Sequence, residues 1–330
     1  MIRTRGLTKD FTGAKGQTVH AVRGIDLDIG PGELVAVLGP NGAGKTTTIR
    51  MLTTLIAPTA GTAQVAGADT VREPAAVRRR IGYVGQGNGA GHAQRALDEL
   101  VVQGTIYGLD RRDARRRAGE LMAQLDLEPL ARRKVSELSG GQRRRLDVAL
   151  GLVHAPRLLF LDEPSTGLDP HNRAHLWEHI LRLRERHAMT VVLTTHYLDE
   201  ADQMAERVVV VDDGRVIADD TAAALKHTLA GDRLVLAAAD AADAPALAAL
   251  AGALPGGRDV RVEGPEVRAR VADAPTALPA VLAAAAAHGL AVARAEGHQP
   301  TLDDVFLSLT GRSLREEGAA RPSDAVEVAA

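Results

Sequence analysis

The chain has 330 residues, a formal net charge of −2 and no cysteine. That length suffices for a large core plus a second, smaller domain. Near-neutrality gives no bulk pull toward nucleic acid, and the lack of Cys excludes disulfides and thiolate metal sites. No run approaches the roughly 18 uninterrupted apolar residues of a membrane span, and Met1-Ile2-Arg3-Thr4-Arg5 opens without a signal-peptide core. A protein soluble by itself is expected, with any membrane work done through a partner.

Glu33-Leu34-Val35-Ala36-Val37-Leu38 is the near-continuous apolar run of a parallel strand buried on both faces. It leads into Gly39-Pro40-Asn41-Gly42-Ala43-Gly44-Lys45-Thr46, followed by Thr47 and Thr48 in a first helical turn and by Ile49, Leu52 and Ile56 at helical spacing. Strand, glycine-rich loop and helix in that order form a phosphate cradle. The glycines let backbone N–H groups approach phosphate oxygens, and the helix start adds its positive end. Lys45 is expected on the β and γ phosphates and Thr46 on Mg²⁺. A merely Gly-rich tight turn is the competing reading, and the full motif in context outweighs it.

Ile81-Gly82-Tyr83-Val84-Gly85-Gln86 precedes a glycine-rich stretch, and residues 93–109 and 113–127 read as helices, with Gly119 a weak spot in the second. Arginines 111, 112, 115, 116 and 117 suit either anionic headgroups or a solvated helix face. Leu138-Ser139-Gly140-Gly141-Gln142 opens a helix with Leu146, Ala149, Leu150 and Val153 as apolar positions. Ser139 is a good N-cap, and the glycines leave amides uncovered as a second anion site. One nucleotide uses both loops only if two chains pair head to tail.

Leu158-Leu159-Phe160-Leu161 delivers Asp162 and Glu163 at a strand's carboxyl end, where open α/β sheets bind ligands. Asp162 suits Mg²⁺ through its water shell, and Glu163 suits a base that orients or polarises attacking water. Pro164-Ser165-Thr166-Gly167-Leu168-Asp169 is turn-rich and places an acid for an interface. The strand Thr190–Thr195 ends at His196, which is expected to sense the γ-phosphate, a structural hydrogen-bonding role being the alternative.

With these motifs the chain resembles an ATP-binding cassette subunit over residues 1–226. The resemblance implies an α/β P-loop NTPase with a helical subdomain at about residues 87–137. Gly39 to Thr46 match the family's Walker A loop and Leu138 to Gln142 its signature. Asp162 and Glu163 match the Walker B acid and catalytic glutamate, Ser165 to Asp169 the D-loop, and His196 the switch histidine. Gln86 matches the Q-loop glutamine, which contacts Mg²⁺ and reports γ-phosphate to a transmembrane partner. Phe11 falls where the family stacks an aromatic on adenine; closing an edge strand is the other reading. The implied catalytic set is therefore Lys45, Gln86, Glu163 and His196, with ATP and Mg²⁺ as cofactors. One departure stands out: Gly87-Asn88-Gly89-Ala90-Gly91-His92 replaces the family's hydrophobic, Leu-Thr-containing stretch, a flexible loop bearing on partner fit.

Arg207–Val211 and Arg215–Ala218 flank an Asp212-Asp213-Gly214 hairpin turn that closes the cassette. The remainder turns Ala-rich. Strands at 233–238, 259–262, 267–271 and 290–295 and helices at 244–250 and 276–288 give a βαββαβ order like a ferredoxin-type domain over residues 227–315. Gln299-Pro300-Thr301-Leu302-Asp303-Asp304-Val305-Phe306-Leu307-Ser308-Leu309-Thr310-Gly311 resembles the C-terminal motif of daunorubicin-resistance type cassette subunits, which serve ABC-2 exporters. Physically it is a short amphipathic helix with Thr301 as N-cap and Val305, Phe306 and Leu309 on one face. Residues 316–330 are expected to form a disordered tail.

The resemblance implies a homodimer on the cytoplasmic face of the membrane that drives a separately encoded permease to export an amphiphilic drug, antibiotic or lipid. An importer ATPase and a soluble cassette acting on ribosomes or DNA are the alternatives. The βαββαβ order weighs against the first. The single cassette, with no heptad run and no basic excess, weighs against the second.

Overall fold

The computed structural model describes residues 1–13, 16–87, 89–91 and 93–311. The expected tail, and Asn88 and His92 of the glycine-rich segment, lie outside the described residues. Two compact units meet at Asp219/Asp220, where the sequence suggested 226/227.

The first unit begins with β1 (Ile2–Thr12) and β2 (Thr18–Ile29), an antiparallel ribbon. There follow β3 (Leu34–Leu38), α1 (Lys45–Leu52), β4 (Ala60–Val65), β5 (Ala68–Asp69), α2 (Pro74–Arg80) and β6 (Ile81–Val84). Next come α3 (Ala96–Ile106), α4 (Arg111–Gln124), α5 (Gly140–Leu152), β7 (Leu158–Asp162) and α6 (Pro170–His187). The unit closes with β8 (Thr190–Thr195), α7 (Leu198–Met204), β9 (Arg207–Asp212) and β10 (Arg215–Asp220).

Six strands form one sheet in the order β10-β9-β3-β8-β7-β6, and the β9-β3-β8-β7-β6 pairings are parallel. Strands β3, β7 and β8 are buried along their whole length, as their unbroken aliphatic runs require. The second sheet, β2-β1-β4-β5, is antiparallel. Ile2, Leu7, Ile25 and Ile29 from this sheet share one core with Val35, Val37, Phe160 and Val209 of the parallel sheet and Ile49 and Leu52 of α1. Because β3, β6, β7 and β8 run the same way, the loops that follow them emerge at one edge.

Helix α1 is shorter than the Ile49/Leu52/Ile56 spacing suggests. Thr53 Oγ1 donates to the Ile49 carbonyl at 2.9 Å and Thr54 takes a left-handed φ of 64°, which turns the chain out of the helix. Ile56 reaches the same core from the following loop. Helices α3 and α4 pack on each other and on α5. Asp110 caps α4 by accepting the Asp113 N–H at 2.8 Å, which fixes its start before the expected residue 113. Arg116 pairs with Asp113 at 3.1 Å and Glu120 at 2.8 Å along the α4 surface. The β9–β10 connection has φ of 45° at Asp213 and 73° at Gly214, as a type I′ turn requires.

The second unit continues with α8 (Ala222–Leu225), a π-helical turn at Lys226–Ala230, β11 (Asp232–Ala238), α9 (Ala244–Gly252), β12 (Arg258–Glu263), β13 (Glu266–Val271), α10 (Ala274–Ala287) and β14 (Val292–His298). The strand–helix–strand–strand–helix–strand order builds an antiparallel sheet, β12-β13-β11-β14. Leu234, Leu236, Val267 and Val271 of the sheet meet Leu247 of α9 and Val281 of α10 in its core. Helix α11 (Leu302–Thr310) starts in a capping box in which Thr301 and Asp304 satisfy each other's backbone N–H. It packs against the 222–230 segment, with Leu302, Val305 and Phe306 buried and Leu309 half-buried, so Leu302 joins the expected face.

Phe306 is fully buried. Phe306→Ala should therefore cost the second unit about 3–5 kcal/mol, seen as faster amide exchange in β11 and α8 with unchanged exchange in β3 and β7. Unchanged exchange throughout would show that the α11 packing contributes nothing.

Candidate nucleotide site

The loop between β3 and α1 is held in shape by its neighbours. A Cβ on Gly39 would stand 2.1 Å from the Val211 carbonyl oxygen of β9, so no larger residue fits there. Gly42 and Gly44 take φ of 83° and 98°, conformations that favour glycine. The Gly214 N–H donates to the Ala43 carbonyl at 3.0 Å, tying the loop to the β9–β10 turn. Asn41 and Gly42 are exposed, Pro40 is buried, and Thr46 and Thr47 are half-buried in the first turn of α1.

Lys45 is 4% exposed and its Nζ donates to the Gly39 and Pro40 carbonyls at 2.7 and 2.9 Å. Burial lowers its pKa, against the opposing pull of Glu163, 3.8 Å away, and Asp162. An ammonium anchored at the loop's own rim is placed for a negatively charged ligand lying in the loop.

Asp162, at the end of β7, accepts from Thr46 Oγ1 at 3.0 Å and from Thr194 Oγ1 of β8 at 2.6 Å. Burial raises its pKa, and the two hydroxyls oppose that rise. Gln86, in the loop after β6, donates from Nε2 to Thr46 Oγ1 at 3.3 Å. A hydroxyl and a carboxylate thus converge as hard oxygen ligands, the chemistry a small divalent cation prefers, with the Gln86 side-chain amide beside them.

Glu163 takes a left-handed φ of 47°, an uncommon conformation for a residue with a Cβ. Its N–H is held by the Thr194 carbonyl at 3.1 Å and Oγ1 at 3.0 Å. His196 Nδ1 lies 3.3 Å from Glu163 Oε2, and Thr166 Oγ1 donates to that oxygen at 3.3 Å. Burial pushes the Glu163 pKa up, but His196, Lys45 and Thr166 together outweigh it and hold the carboxyl below its ordinary value. Lys45, Thr46, Gln86, Asp162, Glu163 and His196 therefore form one connected cluster.

The remaining candidates lie elsewhere. Ser139 caps α5 in a reciprocal box: its Oγ accepts the Gln142 N–H at 3.3 Å, and Gln142 Oε1 accepts the Ser139 N–H at 3.0 Å. Among the described residues, neither side chain bonds to the phosphate loop or to the acidic pair. Ser139 and Gly140 are exposed. A Cβ on Gly140 would meet nothing within 4 Å, whereas one on Gly141 would stand 2.4 Å from Asn172 Oδ1 of α6. Asp169 caps α6 by accepting from Asn172 N at 2.9 Å and Nδ2 at 2.6 Å. Half-buried Phe11 pairs with Val19 across the β1–β2 ribbon, with Lys9 Nζ 5.1 Å from its ring centre. That ribbon meets the phosphate loop near Ala21, whose carbonyl oxygen would be 2.4 Å from a Cβ on Gly44.

Sequence reasoning passed over Arg144, Asp147, Thr194 and Glu200. Glu200, buried on α7, accepts from Ser165 Oγ and, at 2.9 Å, from Thr195 Oγ1, which joins the turn after β7 to the end of β8. Arg144 is buried and donates to four backbone carbonyls, three at residues 162–164 and one at Gly85. The signal for it was present: apolar residues point all ways around Leu146 to Val153, which marks a helix enclosed on every side, and a charge on such a helix needs partners.

A second set of metal-type ligands, Asp126, His175 and His179, also gathers. There Arg145 donates to His175 Nδ1 at 3.0 Å, and His179 Nδ1 is 2.9 Å from the Gln124 carbonyl. Asp126 lies 3.3 Å from His175 Nε2 and 3.4 Å from His179 Nε2. With a guanidinium spending one ring nitrogen, the set reads as a hydrogen-bonded network and not as an ion site.

Residues 22–166 match the ABC transporter family. The chain is 44% identical over 293 residues to the daunorubicin resistance ATP-binding protein DrrA2 of Streptomyces coeruleorubidus, covering 88% of this chain and 91% of that one. It is 41% identical over 329 residues to the daunorubicin/doxorubicin resistance ATP-binding protein DrrA of Streptomyces peucetius, covering 99% and 98%. The linearmycin resistance ATP-binding protein LnrL of Bacillus subtilis is 34% identical, with 89% and 95% covered. Among solved structures, the dimeric structure of MJ0796, a bacterial ABC transporter cassette, superimposes with a TM-score of 0.62 at 28% identity, covering 67% of this chain and 98% of that one. The chain belongs to the ABC transporter family and is a nucleotide-binding, ATP-hydrolysing subunit of it.

Proposed function

We propose that two copies of this chain bind two ATP molecules at a head-to-tail interface and, on closing, drive a separate membrane permease of the ABC-2 type to export an amphiphilic drug, antibiotic or lipid. The observation that carries this reading is likeness to resistance ATP-binding proteins along nearly the whole chain, second unit included. No helix among the described residues is long and apolar enough to cross a membrane, which is why a separate permease is invoked. Docked to it, the subunit works at the cytoplasmic face of the membrane. A groove of about 690 Å³ between α3 and α4 offers the docking face, with Val102 and Ile106 exposed and Asp98, Arg111 and Arg115 at its rim.

In each site, residues 39–47 cradle the phosphates, Lys45 neutralises the β and γ groups, and Phe11 stacks on the base. Thr46, Asp162 and Gln86 would hold Mg²⁺, which would supply positive charge against the phosphates. Glu163 acts on the attacking water, orienting or polarising it. Phosphoryl transfer with a loose transition state asks for that. His196 keeps Glu163 ionised and senses the γ-phosphate. Ser139, Gly140, Gly141 and Gln142 complete the site of the other copy, with Asp169 at the same interface. The open space at Gly140 and the exposure of Ser139 support that assignment. Closure moves the permease only if ATP and ADP favour the closed form differently.

Glu163→Gln should bind ATP with unchanged affinity, lower turnover at least about 100-fold and accumulate a closed dimer on gel filtration with ATP. Normal turnover would remove Glu163 from water activation.

Mixing Lys45→Ala chains with Ser139→Arg chains tests the shared site. A mixed dimer carries both lesions in one site and leaves the other intact, so ATPase should rise above that of either homodimer. Disulfide crosslinks between introduced cysteines at 139 and 42 give an independent readout. Links formed only within one chain would rule out the head-to-tail arrangement.

A chain of residues 1–226 should keep ATP affinity and lose dimer stability or coupled export, because every phosphate-binding candidate lies in the first unit. Loss of ATP binding would make the second unit part of the catalytic core.

A further inference from the structure

The first turns of α5 carry a buried arginine that is anchored on backbone carbonyls rather than on an acid. Arg144 Nε donates to the Pro164 carbonyl at 2.6 Å and Nη1 to the Gly85 carbonyl at 2.6 Å. Nη2 is 3.3 Å from the Asp162 carbonyl and 3.4 Å from that of Glu163. One planar group thus reaches the residue before Gln86 and the three consecutive residues that carry the acidic pair. One turn further along α5, Asp147 Oδ1 accepts the Gly89 N–H at 2.9 Å, on the other side of Gln86. The charges of Arg144 and Asp147 attract each other within the same buried region.

Two features of the site require such an anchor. Glu163 sits in a left-handed conformation that relaxes unless both its peptide groups are held. Thr194 holds the N–H, and on the carbonyl side Arg144 Nη2 at 3.4 Å joins the Thr166 N–H at 3.3 Å, tying that local turn to α5. Gln86 is exposed and flanked by glycines on both sides, so its reach to Thr46 depends on how the neighbouring backbone is fixed.

We propose that Arg144, assisted by Asp147, is a positioning residue for hydrolysis: it locks the backbone of Glu163 and the approach of Gln86 to one helix, the helix that begins at Ser139. Gly89, in the stretch that departs from the family's usual hydrophobic one, is then held by α5. Lysine cannot replace Arg144, because a single ammonium does not span carbonyls on both loops. The inference rests on Glu163 acting on water. That assignment fails by itself if Glu163→Gln turns over normally, whereas Arg144 is read from its own kcat and KM.

The test compares the full chain with Arg144→Lys and Asp147→Asn for steady-state ATPase, ATP affinity and thermal midpoint. For Arg144→Lys we expect kcat to fall at least about tenfold with KM within about threefold and little change in midpoint, and for Asp147→Asn a smaller fall of the same kind. Combining Arg144→Lys with Gln86→Ala should cost no more than the worse single change, since both act on one arrangement. A kcat close to the parent's, or fully multiplicative effects in the double variant, would overturn the proposal. So would parallel collapse of ATP affinity and midpoint, which would make Arg144 a structural residue only.

Discussion

A single buried carboxylate organises the site. Asp162 ends β7, and its Oδ1 accepts hydroxyls from α1 and from β8. A buried carboxylate without partners is costly enough to neutralise itself or to unfold its surroundings. Here the partners come from two other elements, so satisfying one group fixes the register of the strand end, the phosphate-loop helix and the neighbouring strand together. Gln86 joins through the same Thr46 hydroxyl. The site is thereby assembled before any ligand enters, and electrostatic catalysis asks for that preorganisation.

The adjacent acids illustrate how environment assigns roles. Asp162 is buried beside neutral hydroxyls and its pKa rises; Glu163, one residue on, faces the Lys45 ammonium and the His196 ring and its pKa falls. Two consecutive carboxylates of one strand end thus face different neighbours, Asp162 the Thr46 and Thr194 hydroxyls and Glu163 the Lys45 ammonium and His196 ring.

Most of this was legible in the sequence because the informative signals are short-range. Strand β3, the glycine loop and α1 are contiguous, and their order alone specifies a phosphate cradle. The strands ending at Asp162 and His196 announce themselves as unbroken aliphatic runs. The end of α1 was missed because a threonine hydroxyl bonding back to Ile49 overrides the apolar spacing that pointed on to Ile56. Arg144, Asp147 and Glu200 were missed for a different reason. Their partners are backbone carbonyls, amides and hydroxyls brought together by the tertiary fold, and no local pattern encodes them. The apolar run from Leu146 to Val153 marks α5 as enclosed, but which carbonyls the arginines at 143–145 meet is set only by the tertiary fold.

The two signature glycines, adjacent in the chain, are constrained on different timescales of the protein's life. At Gly141 a methyl would collide with Asn172 of α6, so that position is decided once, while the chain folds, and within one molecule. At Gly140 a methyl would meet only open space, so the isolated chain has no objection to one. Any cost of filling it falls due only at encounter, each time another surface has to come close. A mutational scan of freshly folded monomers would therefore report one glycine of the pair and be blind to the other.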